Sequence, residues 1–341
     1  MAVTLQQIAQ AAGVSRGTVD RALKNRGRIN PEVAENIRRI AEEMGYQPNR
    51  AGRALAMSRR SITIGVIMQA AGTPFMEKVL EGVLEAKEEV ERMGAHMIIR
   101  NIHNLDAEKA TKTMLELKAA GCNGIAVVPV DDARLKETIN RLADEDVPVI
   151  TFNSDIEESK RMCFVGQDTL QSGKVAAGLM AEILPRDKKV LIISGYPSNH
   201  SHKNRTRGFS EELSACREDI KILDVQYAFD DNGMAEMITK GMLDEYKDLA
   251  GIYLAASGVQ GVCKALEETG LSGKVKVISN DLTDQNIQYL KGGKINFLLG
   301  QDAHRQGYEP VLLLFAKLFD GNDPEQELIY TEIVIKTKYN V

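Results

Sequence analysis

From Ile62 to the C-terminus the chain repeats one pattern: a short, almost wholly apolar run, then a longer amphipathic stretch. The runs are "ITIGVI" (62–67), "HMIIR" (96–100), "GIAVV" (124–128), "VPVITF" (147–152), "MCFVG" (162–166) and "KVLIIS" (189–194). They continue as "IKILDVQ" (220–226), "GIYLA" (251–255), "VKVIS" (275–279) and "INFLLG" (295–300). A strand with one wet face alternates apolar and polar residues. A uniformly apolar strand has both faces covered, which means a parallel sheet between layers of helix. The stretches between, 75–93, 107–119, 131–143, 169–184, 205–215, 233–245, 258–269 and 304–319, carry apolar residues at helical spacing. So many strands exceed one compact sheet, and two α/β lobes are expected.

Charge divides the chain differently. The 341 residues carry a formal −5. Residues 1–60 hold eleven Lys and Arg against five Asp and Glu, a net +6, which leaves −11 for the remainder. A basic front on an acidic body points to a polyanion as partner of the front alone. The four cysteines, Cys122, Cys163, Cys216 and Cys263, are far apart with no C-x-x-C. That argues against a zinc site or a disulfide framework and fits a reducing cytosol. The N-terminus has no apolar signal-peptide core, and no apolar run approaches the ~18 residues of a membrane span. A cytoplasmic protein with no membrane partner is expected.

The front is all helical. "TLQQIAQAA" puts Leu5, Ile8, Ala9 and Ala12 on one face, and Thr4 with Gln7 makes a capping box. Gly13 breaks the helix; Ser15 can cap a second one that buries Val19, Ala22 and Leu23. Asn30-Pro31 starts a third, with Val33, Ile37, Ile40, Ala41 and Met44 inward. A small residue (Ala9), a turn glycine (Gly13) and a β-branched wedge (Val19) are the requirements of a helix-turn-helix. The second helix would lie in the DNA major groove with Arg16, Gly17 and Arg21 near its leading end. An arginine there can pair bidentately with guanine O6 and N7. Thr4, Ser15, Thr18 and Asn25 complete the expected DNA face. Gly13 to Gly17 also matches G-x-S-x-G, but a nucleophile elbow needs a strand before its serine, and here a helix precedes it. Beyond Pro48, Asn49 can cap a short helix with Arg50 and Arg53 on it and little to pack against. Alone it is marginal and should order on a partner.

The segments "TLQQIAQAAGVSRGTVDRAL", "INPEVAENIRRIAEEMGYQPN" and "NRAGRALA" resemble the LacI/GalR family of bacterial transcription regulators, collinearly over residues 4–57. The resemblance implies three parts: a helix-turn-helix domain (1–48), a hinge helix and linker (49–60) and a two-lobed effector-binding and dimerisation domain (61–341). It implies that Asn49, Arg50, Arg53, Leu55 and Ala56 meet DNA, with Leu55 as a minor-groove wedge. Asp20 stands where the family has a small polar residue, which leaves the half-site sequence open.

In open parallel sheets, ligands bind beyond the carboxyl ends of strands. Gln69, Phe75, Asn153-Ser154-Asp155, Ser257, Asn280-Asp281 and Gln301-Asp302 all sit there. Any one can be a turn or a cap; together they outline a cleft. The body resembles the type I periplasmic-binding-protein fold, whose chain crosses between its lobes three times with the ligand between them. That resemblance implies effector contacts from Phe75, Asp281, Gln301 and a basic residue, Lys203 or Arg205; Asn153, Asp155 and Ser257 join them from their strand-end positions. Asn153-Ser154-Asp155 stands where sugar-binding relatives have Asp-Arg, so the usual sugar identity does not transfer. In "SNHSHKNRTRGF" (198–209), Lys203, Arg205 and Arg207 suit either an anionic effector or neutral hydroxyls. His200 and His202 lack a third metal ligand, and no cofactor is expected. No P-loop, G-x-G-x-x-G after a strand or H-E-x-x-H is present, so an enzyme is not expected. The expectation is an all-α helix-turn-helix head followed by a two-lobed α/β domain with parallel sheets. It would act as a homodimeric repressor of carbohydrate genes on a pseudo-palindromic operator. The effector is expected to be a sugar or derivative, with a nucleobase, polyol or sugar acid as the alternative.

Overall fold

The computed structural model describes residues 3–23, 29–45 and 61–341. The chain divides into two compact units, Met1–Arg60 and Ser61–Val341. Asn25 and the expected hinge segment, with Asn49, Arg50, Arg53, Leu55 and Ala56, lie outside the described residues.

The first unit holds α1 (Leu5–Ala12), α2 (Arg16–Leu23) and α3 (Pro31–Glu43). Thr4 caps α1 as a full capping box: the Gln7 amide donates to its hydroxyl, and the Thr4 N–H donates to Gln7 Oε1 at 2.8 Å. Gly13 ends the helix at φ +67°, a conformation open to glycine at little cost. Ser15 Oγ accepts the Thr18 N–H at 3.1 Å and so starts α2. Ile8, Val19 and Ile37 are fully buried at the centre of one cluster with Ala9, Ala22, Ala34 and Ala41. Each such aliphatic residue contributes roughly 1.5–3 kcal/mol by leaving water.

The second unit has two sheets. Its first lobe comprises β1 (Thr63–Met68), α4 (Pro74–Arg92), β2 (His96–Asn101), α5 (Ala107–Ala119), β3 (Gly124–Val127), α6 (Ala133–Asp144), β4 (Val149–Phe152) and β5 (Cys163–Gln167). Its second comprises α7 (Thr169–Ile183), β6 (Lys189–Ser194), α8 (His200–Cys216), β7 (Lys221–Ile222), β8 (Gln226–Tyr227), α9 (Asn232–Glu245), β9 (Leu249–Leu254), α10 (Val259–Glu268), β10 (Lys276–Asn280), α11 (Asp284–Lys291) and β11 (Phe297–Gly300). The chain then returns to the first lobe with α12 (Ala303–Asp320) and β12 (Leu328–Thr331), and ends in the second with β13 (Val334–Lys336). Strand order is β12-β5-β4-β3-β1-β2 in one sheet and β13-β11-β10-β9-β6-β7 in the other, with β8 also on β6. Only β13, on β11, runs antiparallel.

The chain thus crosses between lobes three times, near 167–169, 300–303 and 331–334. Three details differ from the sequence reading. "IKILDVQ" is two two-residue strands rather than one. The helix expected at 205–215 begins at His200, because Asn199 caps it by accepting the His202 N–H. The strands β12 and β13 were not foreseen.

Candidate DNA-reading helix and effector cleft

On α2, Arg16, Gly17 and Arg21 are exposed and Thr18 is half-buried. Arg21 Nε donates to the Gly17 carbonyl at 3.1 Å, which lays the side chain back along the helix. Thr18 Oγ1 and Ser15 Oγ lie 2.8 Å apart. The helix buries Val19 and Ala22 and turns its basic side outward.

Between the lobes lies a small cavity, about 60 Å³, at the carboxyl ends of the strands. Phe75, Asn153, Arg205, Ser257, Asp281 and Gln301 line it, as does Ala70. Thr73, Asn199, Ser201 and Asp230, not singled out from the sequence, also line it, as does His202, which the sequence offered only as a metal ligand. The backbone here is unusual. Ala70, Asn153, Asp230 and Asp281, each just past a strand, have φ of 52°, 63°, 60° and 73°. Left-handed non-glycine residues concentrate where structure holds side chains in set positions.

One chain of hydrogen bonds links the lobes through a crossing. Asn153 Nδ2 donates to Gln306 Oε1 at 3.1 Å, and Gln306 Nε2 donates to Gln301 Oε1 at 2.8 Å. Gln301 Nε2 then donates to Asp281 Oδ1 at 2.7 Å. Gln306 is fully buried and was missed. Its only signal was a polar residue on the inward face of α12, beside Ala303, Gly307 and Pro310.

Arg205 is 3% exposed. Its guanidinium donates to the Ala255 carbonyl and to Gln167 Oε1, both at 3.3 Å, and stands 3.9 Å from Asp281 Oδ1. Its Nε is buried without a partner. Asp230 Oδ1 accepts the Ser257 N–H at 3.1 Å. Nδ1 of His202 lies 3.2 Å from the Tyr196 N–H and accepts it, so the ring carries its proton on Nε2. Burial pushes the His202 pKa down from its usual value and Arg205 adds to this, against Asp230 and Asp281; the ring is neutral. Arg205 against Asp230 and Asp281 therefore leaves the lining at net −1. Thr73 makes no side-chain cap on α4, so the first N–H groups of that helix are open to solvent or a ligand.

Two expected effector residues are elsewhere. Asp155 is 4% exposed and makes a bidentate pair with Arg161 at 2.6 and 2.7 Å; it also accepts from Thr151 Oγ1 at 2.6 Å. Lys203 is exposed on the outer side of α8. The inner side of that helix carries Ser201, Asn204, Arg205 and Gly208. Gln69 is buried and committed to structure: it donates to the Val128 carbonyl and accepts the Asp106 N–H. Asp302 caps α12. Asp281 is not the cap of α11; Thr283 is. Among the described residues no group of three His, Cys, Asp or Glu is placed to hold a metal ion, and no helix is long and apolar enough to cross a membrane.

Comparisons with known proteins follow the same division. Residues 4–49 match the model of bacterial regulatory proteins of the lacI family, and residues 64–323 match a periplasmic binding protein domain. The chain is similar to the HTH-type transcriptional regulator DegA of Bacillus subtilis (strain 168), 27% identical over 62% of this chain and 61% of that one. It is also similar to the ribose import binding protein RbsB of the same organism, 23% identical over 73% of this chain and 79% of the relative. The glucose-galactose binding protein GanP of Geobacillus stearothermophilus shares the fold, with a TM-score of 0.76 at 22% identity, over 83% of this chain and 99% of that one. A helix-turn-helix front and a two-lobed body with a cleft at its strand ends are thus matched part by part: the chain carries a lacI-family helix-turn-helix domain over residues 4–49, and through residues 64–323 it belongs to the periplasmic binding protein domain family.

Proposed function

We propose that the protein is a homodimeric, cytoplasmic repressor of carbohydrate-uptake or catabolic genes. It reads a pseudo-palindromic operator, and its operator affinity is set by a small neutral sugar in the cleft. The observation that carries this is the ring of hydrogen-bonding groups from both lobes around the Arg205–Asp281 pair, in a chain that also bears a basic helix-turn-helix. Arg205, Asp281, Gln301 and Asn153 alternate donors and acceptors, as vicinal hydroxyls do, and Phe75 offers an apolar face. Relatives named for ribose import and transcriptional regulation agree with both halves of the reading.

The charge of the cleft argues for an uncharged effector. Arg205 is the one cation among the residues that line it, and it already faces Asp281. A sugar acid or phosphate would add negative charge to a lining already at net −1. The cavity has room for about four waters, at roughly 10–15 Å³ each. A monosaccharide would fill that space, and its hydroxyls would draw on groups of both lobes, so binding adjusts the spacing of the lobes or their side chains. That change is the proposed signal to the DNA-reading unit.

A thermal-shift screen is the first test, because a ligand of the native state raises its melting temperature. Neutral pentoses and hexoses should stabilise, while gluconate and sugar phosphates should not. The reverse pattern would sink the charge argument. Operator titration with and without the active sugar then reads the sign of control. In a binding-site selection, Arg16→Ala should relax base preference and weaken operator binding by about 1–3 kcal/mol. An unchanged selected motif would remove Arg16 from base reading.

A further inference from the structure

The effector cleft is not the larger cavity of this unit. A second one, about 440 Å³, lies on the far side of Ser201, between the outer strands of the first sheet and the starts of α7 and α8. Its volume falls in the range of small-molecule sites. First-lobe walls come from Phe164, Glu157, Glu327 and Tyr330; second-lobe walls come from Thr169 and Asn204. Its chemistry is one-sided. Asp155 and Arg161 neutralise each other in their bidentate pair. Glu327 takes a further Arg161 contact at 2.7 Å, Glu157 lies 3.1 Å from His200 Nε2 and Glu158 lies 3.3 Å from Lys136 Nζ. Asp168 is left without a cationic partner among the described residues, and Arg207 is the other cation of the lining. Arg207 points half into solvent, toward Glu211.

Two buried side chains line this space, each with a polar atom that has no partner among the described residues. Thr169 is 6% exposed and Asn204 is 9% exposed. The Thr169 hydroxyl has no hydrogen bond among the described residues, and the Asn204 amide contacts only the His200 ring, through its nitrogen. Its carbonyl oxygen is left as a free acceptor. Asp168 caps α7 with Oδ1, on the Gln171 N–H, which leaves Oδ2 available. The Tyr330 ring, 45% exposed, lines the same space and is held edge-on against buried Phe164 with centroids 6.4 Å apart. An aromatic face that shares a cavity with these acceptors and the Asp168 carboxylate matches an ammonium group on an apolar body, through charge-assisted hydrogen bonds and a cation–π contact.

We propose that this cavity is a second binding site, for a small organic ammonium ion, distinct from the effector cleft. Its walls belong to both lobes and adjoin the crossing at Gln167–Asp168 and the end of β12. An occupant therefore favours the lobe arrangement seen here and couples reciprocally to whatever binds the cleft.

The probe is phenethylammonium, with the isosteric neutral 2-phenylethanol as its control, titrated calorimetrically into the full chain. The ammonium should bind at least tenfold tighter than the alcohol. Asp168→Asn keeps the helix cap and removes the charge; Tyr330→Leu keeps an exposed apolar side chain and removes the ring. Each should weaken the ammonium about tenfold while leaving the unliganded melting temperature near wild type. If Asp168→Asn fails to fold, Tyr330→Leu with the neutral control still decides. Equal binding of ammonium and alcohol, undiminished binding in the variants, or no heat at about 10 mM probe would overturn the site.

Discussion

In the first lobe, α4 and α12 cross with Gly82 and Gly307 at the contact; in the second, α7 and α8 cross with Gly173 and Gly208. A Cβ on Gly82 would sit 2.1 Å from the His304 carbonyl oxygen, and one on Gly173 would sit 2.2 Å from that of Arg205. The two lobes thus solve helix packing identically, backbone against backbone. They differ in what the packed helices bring to the cleft. The first lobe contributes Phe75, Thr73 and Asn153, all neutral. The second contributes Arg205, His202, Asp230 and Asp281. A duplicated scaffold therefore carries an unduplicated site, and charge placed on one lobe only can be held rigidly whether the lobes are open or closed.

The largest expected effects test the shared part. Gly82→Val and Gly173→Val each force backbones apart and should destabilise by about 3 kcal/mol or more, the upper range of overpacking. Urea unfolding measures this. Gly173→Val should in addition abolish effector binding, because the backbone atom it strikes belongs to Arg205. A Gly173→Val protein with a wild-type urea midpoint would show that the helices slide freely.

Next come the cleft residues. Asp281→Ala removes the carboxylate that holds Gln301 and faces Arg205. Effector affinity should fall by about 1.5–3 kcal/mol, the range for hydrogen bonds to a charged group, or ten- to a hundredfold. Operator binding without effector should stay near wild type. Gln301→Ala, a neutral partner, should lose less, and Phe75→Ala on the neutral lobe less again. A Phe75→Ala loss exceeding that of Asp281→Ala would invert the division of labour drawn above.

Why the sequence revealed one lobe-building rule but only part of the site is itself physical. Buried parallel strands are apolar almost throughout, so β1, β3 to β6 and β9 to β11 were legible; the edge strand β2, mostly exposed or half-exposed, was legible only through its central Met97-Ile98-Ile99. The crossing strands β12 and β13 are four and three residues long and largely half-exposed or exposed, so they leave no periodic signal. Asp155 looked like a ligand group because it follows a strand; the side chain that claims it, Arg161, lies six residues on, across a loop. Lys203 and Arg205 could not be told apart until the helix start was known. With α8 beginning at His200, Ser201 and Arg205 share a face at i, i+4 and Lys203 does not. Asp230 follows the two-residue β8, too short to be read as a strand end.

Acid should act on the charged lobe first. Burial holds His202 neutral in the folded state, below its ordinary value of 6.5. As pH falls through about 6.5 the unfolded chain takes up a proton that the folded chain refuses, so stability drops from there downward and is recovered above it. Hydrogen exchange compared at about pH 7.5 and 5.5 should show protection lost in β6, α8 and β9 before β1 and β3. His202→Gln, which retains an acceptor, should flatten that difference. Equal loss in both lobes would place the acid sensitivity elsewhere.

The smallest expected effect concerns the ion pair that joins the lobes at α4 and α11. Lys78 Nζ lies 2.9 Å from Asp284 Oδ1, with the side chains 39% and 88% exposed. An exposed pair gains little from Coulomb attraction in water and loses side-chain freedom, for a net of about 0–1 kcal/mol. Two further interlobe contacts near the cleft are neutral: the Asp131 N–H donates to the Ser198 carbonyl, and buried Ser201 donates through Oγ to the Asn153 carbonyl, both at 3.0 Å. These should hold the lobes together when the ion pair is gone. Lys78→Met keeps the apolar stem and removes the charge. Effector affinity should then change by no more than about threefold at low salt, and the difference should vanish near 0.5 M salt, where screening falls to a few ångströms. A tenfold loss that survives high salt would make this surface pair a true latch, and would mean that closure is governed at the mouth of the cleft rather than by the charged floor of the second lobe.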